Sequence, residues 1–130
     1  MRLLLGAAAA AIALYLSGHG LSRAAVDPSY MPASTSMELL VFEHSDCTYC
    51  PMFRSSLAQR YQTSPQAASA PLRFIDLAHA DTSRYGLNAP ITMVPTTVLI
   101  KNGREVDRIA GYWGSDAFFK MMGYIFNKAE

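Results

Sequence analysis

The only two cysteines of the chain lie in the stretch Cys47-Thr48-Tyr49-Cys50, between an apolar run and the start of a helical pattern. Two thiols separated by two residues across the first turn of a helix can form a disulfide with little backbone movement, so the pair can cycle. Free N–H groups and the positive dipole end at a helix N-terminus favour the thiolate form of Cys47. We therefore expect Cys47 to be the nucleophile and Cys50, one turn further on, to be the resolving thiol.

The residues around the cysteines leave two other roles open. A static disulfide would close so short a loop that its entropic stabilisation would be the smallest available. His44 completes the spacing His-x-x-Cys-x-x-Cys, but zinc requires four ligands and the sequence offers no clear fourth. Met93 would suit Cu(I) if it lay near the pair, because soft ligands favour that ion. We predict a redox dithiol without a metal or organic cofactor, since the disulfide itself carries two electrons.

The first part of the chain has the pattern of an export signal. Arg2 precedes residues 3–16, an uncharged apolar run that is shorter than the roughly 20 residues needed to span a membrane. The small residues on either side of Arg23 predict that a signal peptidase cleaves the chain before Ala25. The alternative is that the segment stays attached as a membrane anchor. The predicted organisation is a signal peptide at 1–24, a linker at 25–36 and one domain at 37–130.

Composition places the rest of the chain among small globular domains. The chain has 130 residues, of which 51% are hydrophobic and 16% charged. Residues 1–24 contain two arginines, Arg2 and Arg23, and no acid, so removal of the signal would change the formal charge from +1 to −1. A chain with this charge has no excess of cations, and nothing favours nucleic acid as a partner. A domain of this size buries a core without disulfide staples, which leaves the cysteines for chemistry. In an oxidising periplasm they would need a membrane or periplasmic dithiol as electron donor.

Two hydrophobic patterns predict the elements on either side of the cysteines. The run at 38–42 is too continuously apolar for an exposed edge and predicts a central strand. The following helix has aromatic and aliphatic residues every four positions along one face: Tyr49, Phe53, Leu57 and Tyr61. Pro51 is tolerated only in a first helical turn, which places the start of this helix beside the cysteines.

The second half of the chain predicts further strands and a final helix. Residues 63–71 predict a loop, residues 72–77 a strand and residues 81–87 a short helical or irregular stretch. A proline-led strand at 94–100 is followed by Asn102-Gly103, a strong hairpin signal, and by a return strand at 104–110. Ser115 is predicted to cap the last helix, whose buried side would carry Phe118, Met121, Met122 and Ile125. The order predicts a mixed α/β fold with helices on both sides of a small sheet.

This order of elements resembles the thioredoxin fold over residues 37–126. The matching features are the Cys47–Cys50 motif after a strand, Val94-Pro95-Thr96 before a strand, the Asn102-Gly103 hairpin, and Gly111 before the last helix. The resemblance implies an α/β thioredoxin-like fold, trimmed at the N-terminus, with a central mixed β-sheet flanked by helices.

The resemblance also implies a substrate groove. Pro95 would be a cis-proline lying against the cysteine pair, Val94 would pair with an extended substrate segment by strand addition, and Gly111 would line the same groove. Thr48 and Tyr49, inside the motif, are expected to contact substrate, although Tyr49 could instead extend the helical stripe.

Two positions depart from the thioredoxin pattern. Thioredoxins usually have Trp immediately before the first cysteine, where this chain has Asp46, and a buried acid six residues before it, where this chain has Val41. Glu43, two residues later on the same strand face, is the expected replacement for that acid, as a proton relay to the resolving cysteine.

More narrowly, the leader, the acidic-polar approach to Cys47 and the Gly-Tyr-Trp-Gly stretch at 111–114 resemble the periplasmic thioredoxin-like proteins of sulfur-oxidation (Sox) clusters. The implied activity is a periplasmic thiol:disulfide oxidoreductase that reduces disulfides or mixed disulfides on cysteine-containing periplasmic proteins, including sulfur-oxidation proteins. Disulfide formation or isomerisation is the alternative, because direction depends on the reduction potential.

Overall fold

The computed structural model describes residues 36–130, and the predicted signal peptide at 1–24 and nearly all of the linker lie outside these residues. The described part contains a four-stranded sheet with the strand order β2-β1-β3-β4. The strands are β1 (Met37–Glu43), β2 (Leu72–Asp76), β3 (Thr96–Lys101) and β4 (Arg104–Ala110). The pairing of β1 with β2 is parallel, whereas β3 pairs antiparallel with both β1 and β4. The sheet is therefore mixed, as predicted.

Strand β1 is central, which confirms the prediction from its apolar run. Leu39, Leu40, Val41 and Phe42 are all fully buried. Neighbouring residues of a strand point to opposite faces, so a strand that is buried on both faces must be apolar at every position. Strand β1 ends at Glu43, and the chain then reaches the cysteines across a turn in which the Cys47 N–H donates to the His44 carbonyl at 3.0 Å.

The helix after the cysteines, α1, covers residues 50–62 and carries Pro51 in its first turn. Its middle part, Phe53–Ala58, is π-helical. Phe53, Leu57 and Tyr61 are buried, which confirms three members of the predicted stripe. Burial raises the pKa of Tyr61 to about 12, and its hydroxyl donates to the Ala70 carbonyl at 2.7 Å.

The two faces of the sheet are covered differently. Helix α1 and the last helix, α3 (Ser115–Ala129), pack on the same face, where Phe53 and Phe118 meet edge to face at 5.3 Å. The other face is covered by a short 3₁₀ helix, Thr82–Tyr85, and its flanking loops. Tyr85 contacts Phe42 edge to face at 5.6 Å. Helical segments thus flank both faces, although among residues 36–130 the long helices lie on one face.

Two local predictions are corrected and a third is confirmed. The predicted loop at 63–71 contains a short helix, α2 (Gln66–Ser69). Ser115 does not cap α3, because the cap position is Gly114 and the Ser115 hydroxyl instead accepts a hydrogen bond from Arg60 at 2.8 Å. The Asn102-Gly103 hairpin is confirmed, and both residues have the positive φ that a type I′ turn requires.

An ion pair on β4 anchors the segment that leads to Pro95. Arg108 donates to the Glu105 carboxylate at 2.5 and 2.6 Å and to the carbonyls of Ala89 and Pro90 at 2.7 and 3.1 Å. The N–H of Asn88 donates to the same carboxylate at 2.7 Å. The irregular segment 88–90 is thereby fixed to the sheet. Within residues 36–130, no helix combines the length and apolar character needed to cross a bilayer.

Candidate active site

The two cysteines form a disulfide at the start of α1, with their Cα atoms 5.4 Å apart. The backbone N–H of Cys50 donates to the Cys47 sulfur at 3.1 Å, so this sulfur accepts one of the free donors of the helix N-terminus. Cys50 is buried, with 5% of its surface exposed, whereas Cys47 is only partly buried. The two sulfurs therefore have different environments, and Cys47 is the one that a partner molecule can approach.

The two residues between the cysteines face the solvent. Thr48 is exposed, and 54% of the Tyr49 surface is exposed. Tyr49 precedes the helix and its ring is stacked on Tyr112, with the ring centroids 6.1 Å apart. The prediction that Tyr49 continues the buried stripe is wrong, because this stacking draws its ring towards the loop after β4. Both residues are exposed directly after Cys47, and their contact with a substrate stays a prediction.

A cleft of about 250 Å³ lies beside the disulfide. Its lining residues come from the end of β1, the turn, the start of α1 and the end of β2: Glu43, His44, Ser45, Cys47, Cys50, Pro51, Arg54 and Asp76. Glu43 is two residues after Val41 and so shares its face of the sheet, which is the face that α1 covers. Its side chain is 15% exposed and forms an ion pair with Arg54. The structure thus places Glu43 in the cleft that both cysteines line.

A second carboxylate, Asp76, lies at the edge of this cleft. It is the register partner of Glu43 across the β1–β2 pair. A hydrogen bond from the Ala78 N–H, followed by one from His79, holds the pKa of Asp76 below its usual range. The Asp76 oxygens accept from the Ala78 N–H at 2.9 Å and contact the His79 ring at 3.1 Å, both in the loop that follows β2.

The loop before β3 lies next to the end of β1. The Val94–Pro95 peptide bond is cis, and Pro95 is buried. Thr96 pairs with Phe42 in the sheet, so Pro95 is one position beyond that pair and beside the chain that leaves β1. His44 lines both the cleft at the cysteines and a shallow groove formed with Met93 and Val94. Val94, Pro95 and the cysteine motif are thereby placed around the same turn.

Gly111 contacts the proline loop directly. Its N–H donates to the Pro95 carbonyl at 2.8 Å. Its φ is +85°, and a Cβ atom added there would lie 3.0 Å from the Met93 sulfur. Both the backbone conformation and the close sulfur favour glycine at this position. The structure therefore brings Gly111 beside Pro95, and its role in lining a substrate groove stays a prediction.

Two features of the site were not predicted from the sequence. One is the participation of Arg54, which follows Cys50 by four residues and so lies on the same side of α1; that spacing was the available signal. The other is a set of exposed large apolar side chains, which includes Met52 at 48%, Met93 at 54% and Trp113 at 65% exposure. Within residues 36–130, no group of three or more His, Cys, Asp or Glu side chains is arranged to hold a metal ion.

The family described as "Thioredoxin-like domain" matches residues 29–126. No curated protein matches the chain.

Among solved structures, the periplasmic thioredoxin SoxS from Paracoccus pantotrophus, in its reduced form, is similar with a TM-score of 0.68 and 29% identity. The alignment covers 73% of this chain and all of SoxS. Two other thioredoxins share the fold. That of Malassezia sympodialis has a TM-score of 0.56 and 19% identity, over 74% of this chain and 80% of its own. A variant thioredoxin of Halobacterium salinarum has a TM-score of 0.53 and 22% identity, over 70% of this chain and 75% of its own.

These matches agree with the geometry of the site. A Cys-x-x-Cys disulfide at a helix N-terminus, together with a cis-proline that leads into the strand paired with β1, is the arrangement that the sequence resemblance implied. The Sox-type resemblance is confirmed by the similarity to SoxS. The chain belongs to the thioredoxin-like domain family, with a Cys47–Cys50 pair suited to thiol–disulfide exchange.

Proposed function

We propose that this chain is an exported thiol:disulfide oxidoreductase that reduces disulfides or mixed disulfides on cysteine-containing periplasmic proteins. The observation that carries this proposal is the asymmetry of the Cys47–Cys50 pair. Cys47 is accessible and accepts the N–H at the helix start, whereas Cys50 is buried. Similarity to a periplasmic thioredoxin supports the compartment, whereas the reducing direction is inferred from the resemblance to the thioredoxin family alone. Sulfur-oxidation proteins are the first partners to test.

The reaction has two exchange steps. The Cys47 thiolate attacks a partner disulfide, which forms a mixed disulfide and releases the partner's other sulfur as a thiolate. Cys50 then loses its proton and attacks the Cys47 sulfur, which forms the Cys47–Cys50 disulfide and releases the second partner thiolate. The partner gains two electrons and the cysteine pair loses two. A dithiol electron donor in the periplasm or membrane must then reduce the pair again.

The residues around the motif would hold the partner chain. An extended substrate segment would pair with the backbone at Val94, beside Pro95, as a strand adds to an open edge. A side chain at position 111 would meet the Met93 sulfur. Glycine has no side chain, so it would leave this side of the groove open for the segment. Thr48 and Tyr49 are exposed next to Cys47 and would contact the residues that flank the partner cysteine.

Glu43 would act as the proton relay for Cys50. Thioredoxins have their buried acid at the position of Val41, which in this chain is fully buried and apolar. Glu43 lies on the same face of β1 and lines the cleft together with Cys50. A carboxylate there can accept the Cys50 proton as the thiol attacks, which makes a buried thiol reactive.

Trapping of the mixed disulfide tests the central step. We expect the C50S variant, produced with its leader in the native host, to accumulate covalent adducts with partner proteins, because Cys47 still attacks but the resolving thiol is lost. Adducts are detected on non-reducing gels, released with dithiothreitol and identified by mass spectrometry. The C47S/C50S double variant is the matched control and should give no adduct. Failure of C50S to capture any protein, or equal capture by the double variant, would contradict the mechanism.

A measured reduction potential decides the direction. A difference of about 30 mV corresponds to about 1.4 kcal/mol for a two-electron couple. A potential near that of reducing thioredoxins supports the proposal. A strongly oxidising potential, together with an unusually acidic Cys47 thiol, would instead assign the chain to disulfide formation.

A further inference from the structure

Arg54 is held at the edge of the cysteine cleft by groups from three elements. It belongs to α1 and follows Cys50 by four residues, so it extends from the side of the helix on which Cys50 lies. Its Nε donates to a Glu43 carboxylate oxygen at 3.0 Å, and its Nη2 donates to the other oxygen. Its guanidinium lies over the ring of Phe74 on β2, 3.7 Å from the centroid. One side chain thus joins the helix, the central strand and the neighbouring strand.

This arrangement differs from an ordinary surface ion pair. Exposed pairs contribute little because both side chains must be ordered and solvent screens the charges. Here the Glu43 side chain is only 15% exposed, the contact is bidentate, and Phe74 supports the guanidinium plane. Phe74 is itself packed edge to face against Phe53, at 6.3 Å, within the core. The two N–H donors of the Arg54 guanidinium and its stacking on Phe74 fix the orientation of the Glu43 carboxylate. A lysine, with a single charged nitrogen, would fix it less well.

We propose that Arg54 is the positioning residue for proton transfer at Cys50. It holds the Glu43 carboxylate in the cleft, so that Glu43 accepts the Cys50 proton when Cys50 attacks the mixed disulfide at Cys47. This inference rests on the proposed function and on Glu43 as the relay. Arg54 contributes no proton and forms no bond to sulfur, and its effect passes through Glu43.

The other acid of the cleft does not have this arrangement. The Asp76 carboxylate is bound by the Ala78 N–H and by His79, both in the loop that follows β2. Within the described residues, Arg54 is the only Lys or Arg side chain that lines the cleft. Arg54 and Glu43 therefore form the pair that couples the start of the helix to the end of β1.

Release of nitrothiobenzoate from dithiobis(nitrobenzoate) separates the two chemical steps. With the reduced protein in excess, the first thiolate released reports attack by Cys47, and the second reports attack by Cys50. We expect E43Q to slow the second phase by about 100-fold, the lower end of general acid–base contributions, and to leave the first phase nearly unchanged. We expect R54M to slow the second phase by about tenfold, within the range for coupled contacting residues. R54K should recover part of this loss, because it restores the charge without the fork.

Non-additivity tests whether Arg54 acts through Glu43. The double variant E43Q/R54M should be no slower in the second phase than E43Q alone. The matched control is R60M, because Arg60 is on the same helix, lies 4.3 Å over the Phe119 ring and contacts Ser115, away from the cleft. R60M should change neither phase. If R54M proves unable to fold, R54K alone is compared with R60K.

Each outcome points to a different conclusion. An unchanged second phase in R54M, or a tenfold loss that also appears in the E43Q background, would overturn the role of Arg54 and leave the relay intact. An unchanged second phase in E43Q would overturn the relay and Arg54 together. Absence of both phases in the wild-type protein would contradict the proposed function itself.

Discussion

Replacement of Glu105 by Gln should destabilise the domain, because this carboxylate is the centre of the network that holds the segment before Pro95. Its side chain is 3% exposed, and it accepts hydrogen bonds from Arg108 and from the Asn88 N–H. Loss of one partner from a buried ion pair costs roughly 3–5 kcal/mol, since the remaining charge is left uncompensated. Arg108 is still 20% exposed and keeps two carbonyl contacts, so we expect about 3 kcal/mol, the lower end of the range.

Urea unfolding at neutral pH measures this loss. We expect a lower midpoint with an unchanged m-value, since the folded surface area stays the same. The control is E38Q, which breaks the Glu38–Arg73 pair on the same sheet. Those side chains are 33% and 55% exposed, and such pairs contribute less than about 1 kcal/mol. A loss in E105Q no larger than the loss in E38Q would refute the reasoning.

The pH dependence supplies a second check on Glu105. Burial alone would raise its pKa, but hydrogen bonds from Arg108 and Asn88 hold the pKa of this carboxyl below its ordinary value. A group whose pKa is lowered by folding contributes stability above its unfolded pKa, and this contribution is lost as pH falls through the folded pKa. The difference in stability between wild type and E105Q should therefore shrink on acidification below about pH 4, near the ordinary pKa of a glutamate.

Two further predictions concern the groove and the core. G111A should lower Tm by several degrees, because a non-glycine residue at positive φ costs about 1–2 kcal/mol and the new Cβ meets the Met93 sulfur. It should also slow insulin reduction more than the reaction with dithiobis(nitrobenzoate); equal effects on both would argue against a groove at this position. Y61F should lose about 1 kcal/mol in urea unfolding, because the buried hydrogen bond to Ala70 is removed. Wild type should also lose stability as pH rises from about 10 towards 12, and Y61F should not, which pH-dependent unfolding checks.

Much of the fold could be predicted because the local signals and the final packing agree. Strand β4 has the predicted bounds, Arg104–Ala110, since the Asn-Gly turn fixes where the return strand begins. The central position of β1 could be predicted because its apolar run has no polar residue for a solvent-facing side. Such a run is typical of a strand that is buried on both faces. The cysteine site was predictable because two cysteines and a helix-starting Pro51 are adjacent in sequence.

The missed features depend on contacts between segments. Helix α2 lies in a Ser- and Ala-rich stretch with no apolar period, so nothing but Pro65 at its start marks it. Tyr49 fits the helical spacing, but its ring stacks on Tyr112, more than 60 residues away along the chain. Ser115 has the residue type of a cap, yet Gly114 takes that position. The pairing of Glu43 with Arg54 crosses from a strand to a helix, and periodicity within either element does not reveal it.

The direction of β1 determines where attachments can be made. Met37 pairs with Lys101 at one end of the sheet, and the strand leads to Glu43 and the cysteines at the other. Six residue steps of a strand span about 20 Å. A surface linker or fluorescent group joined ahead of Met37, or at the Asn102-Gly103 turn, would emerge from the far end of the domain and leave the disulfide open to bulky protein clients. Immobilised protein prepared in this way would suit the capture of those clients from extracts.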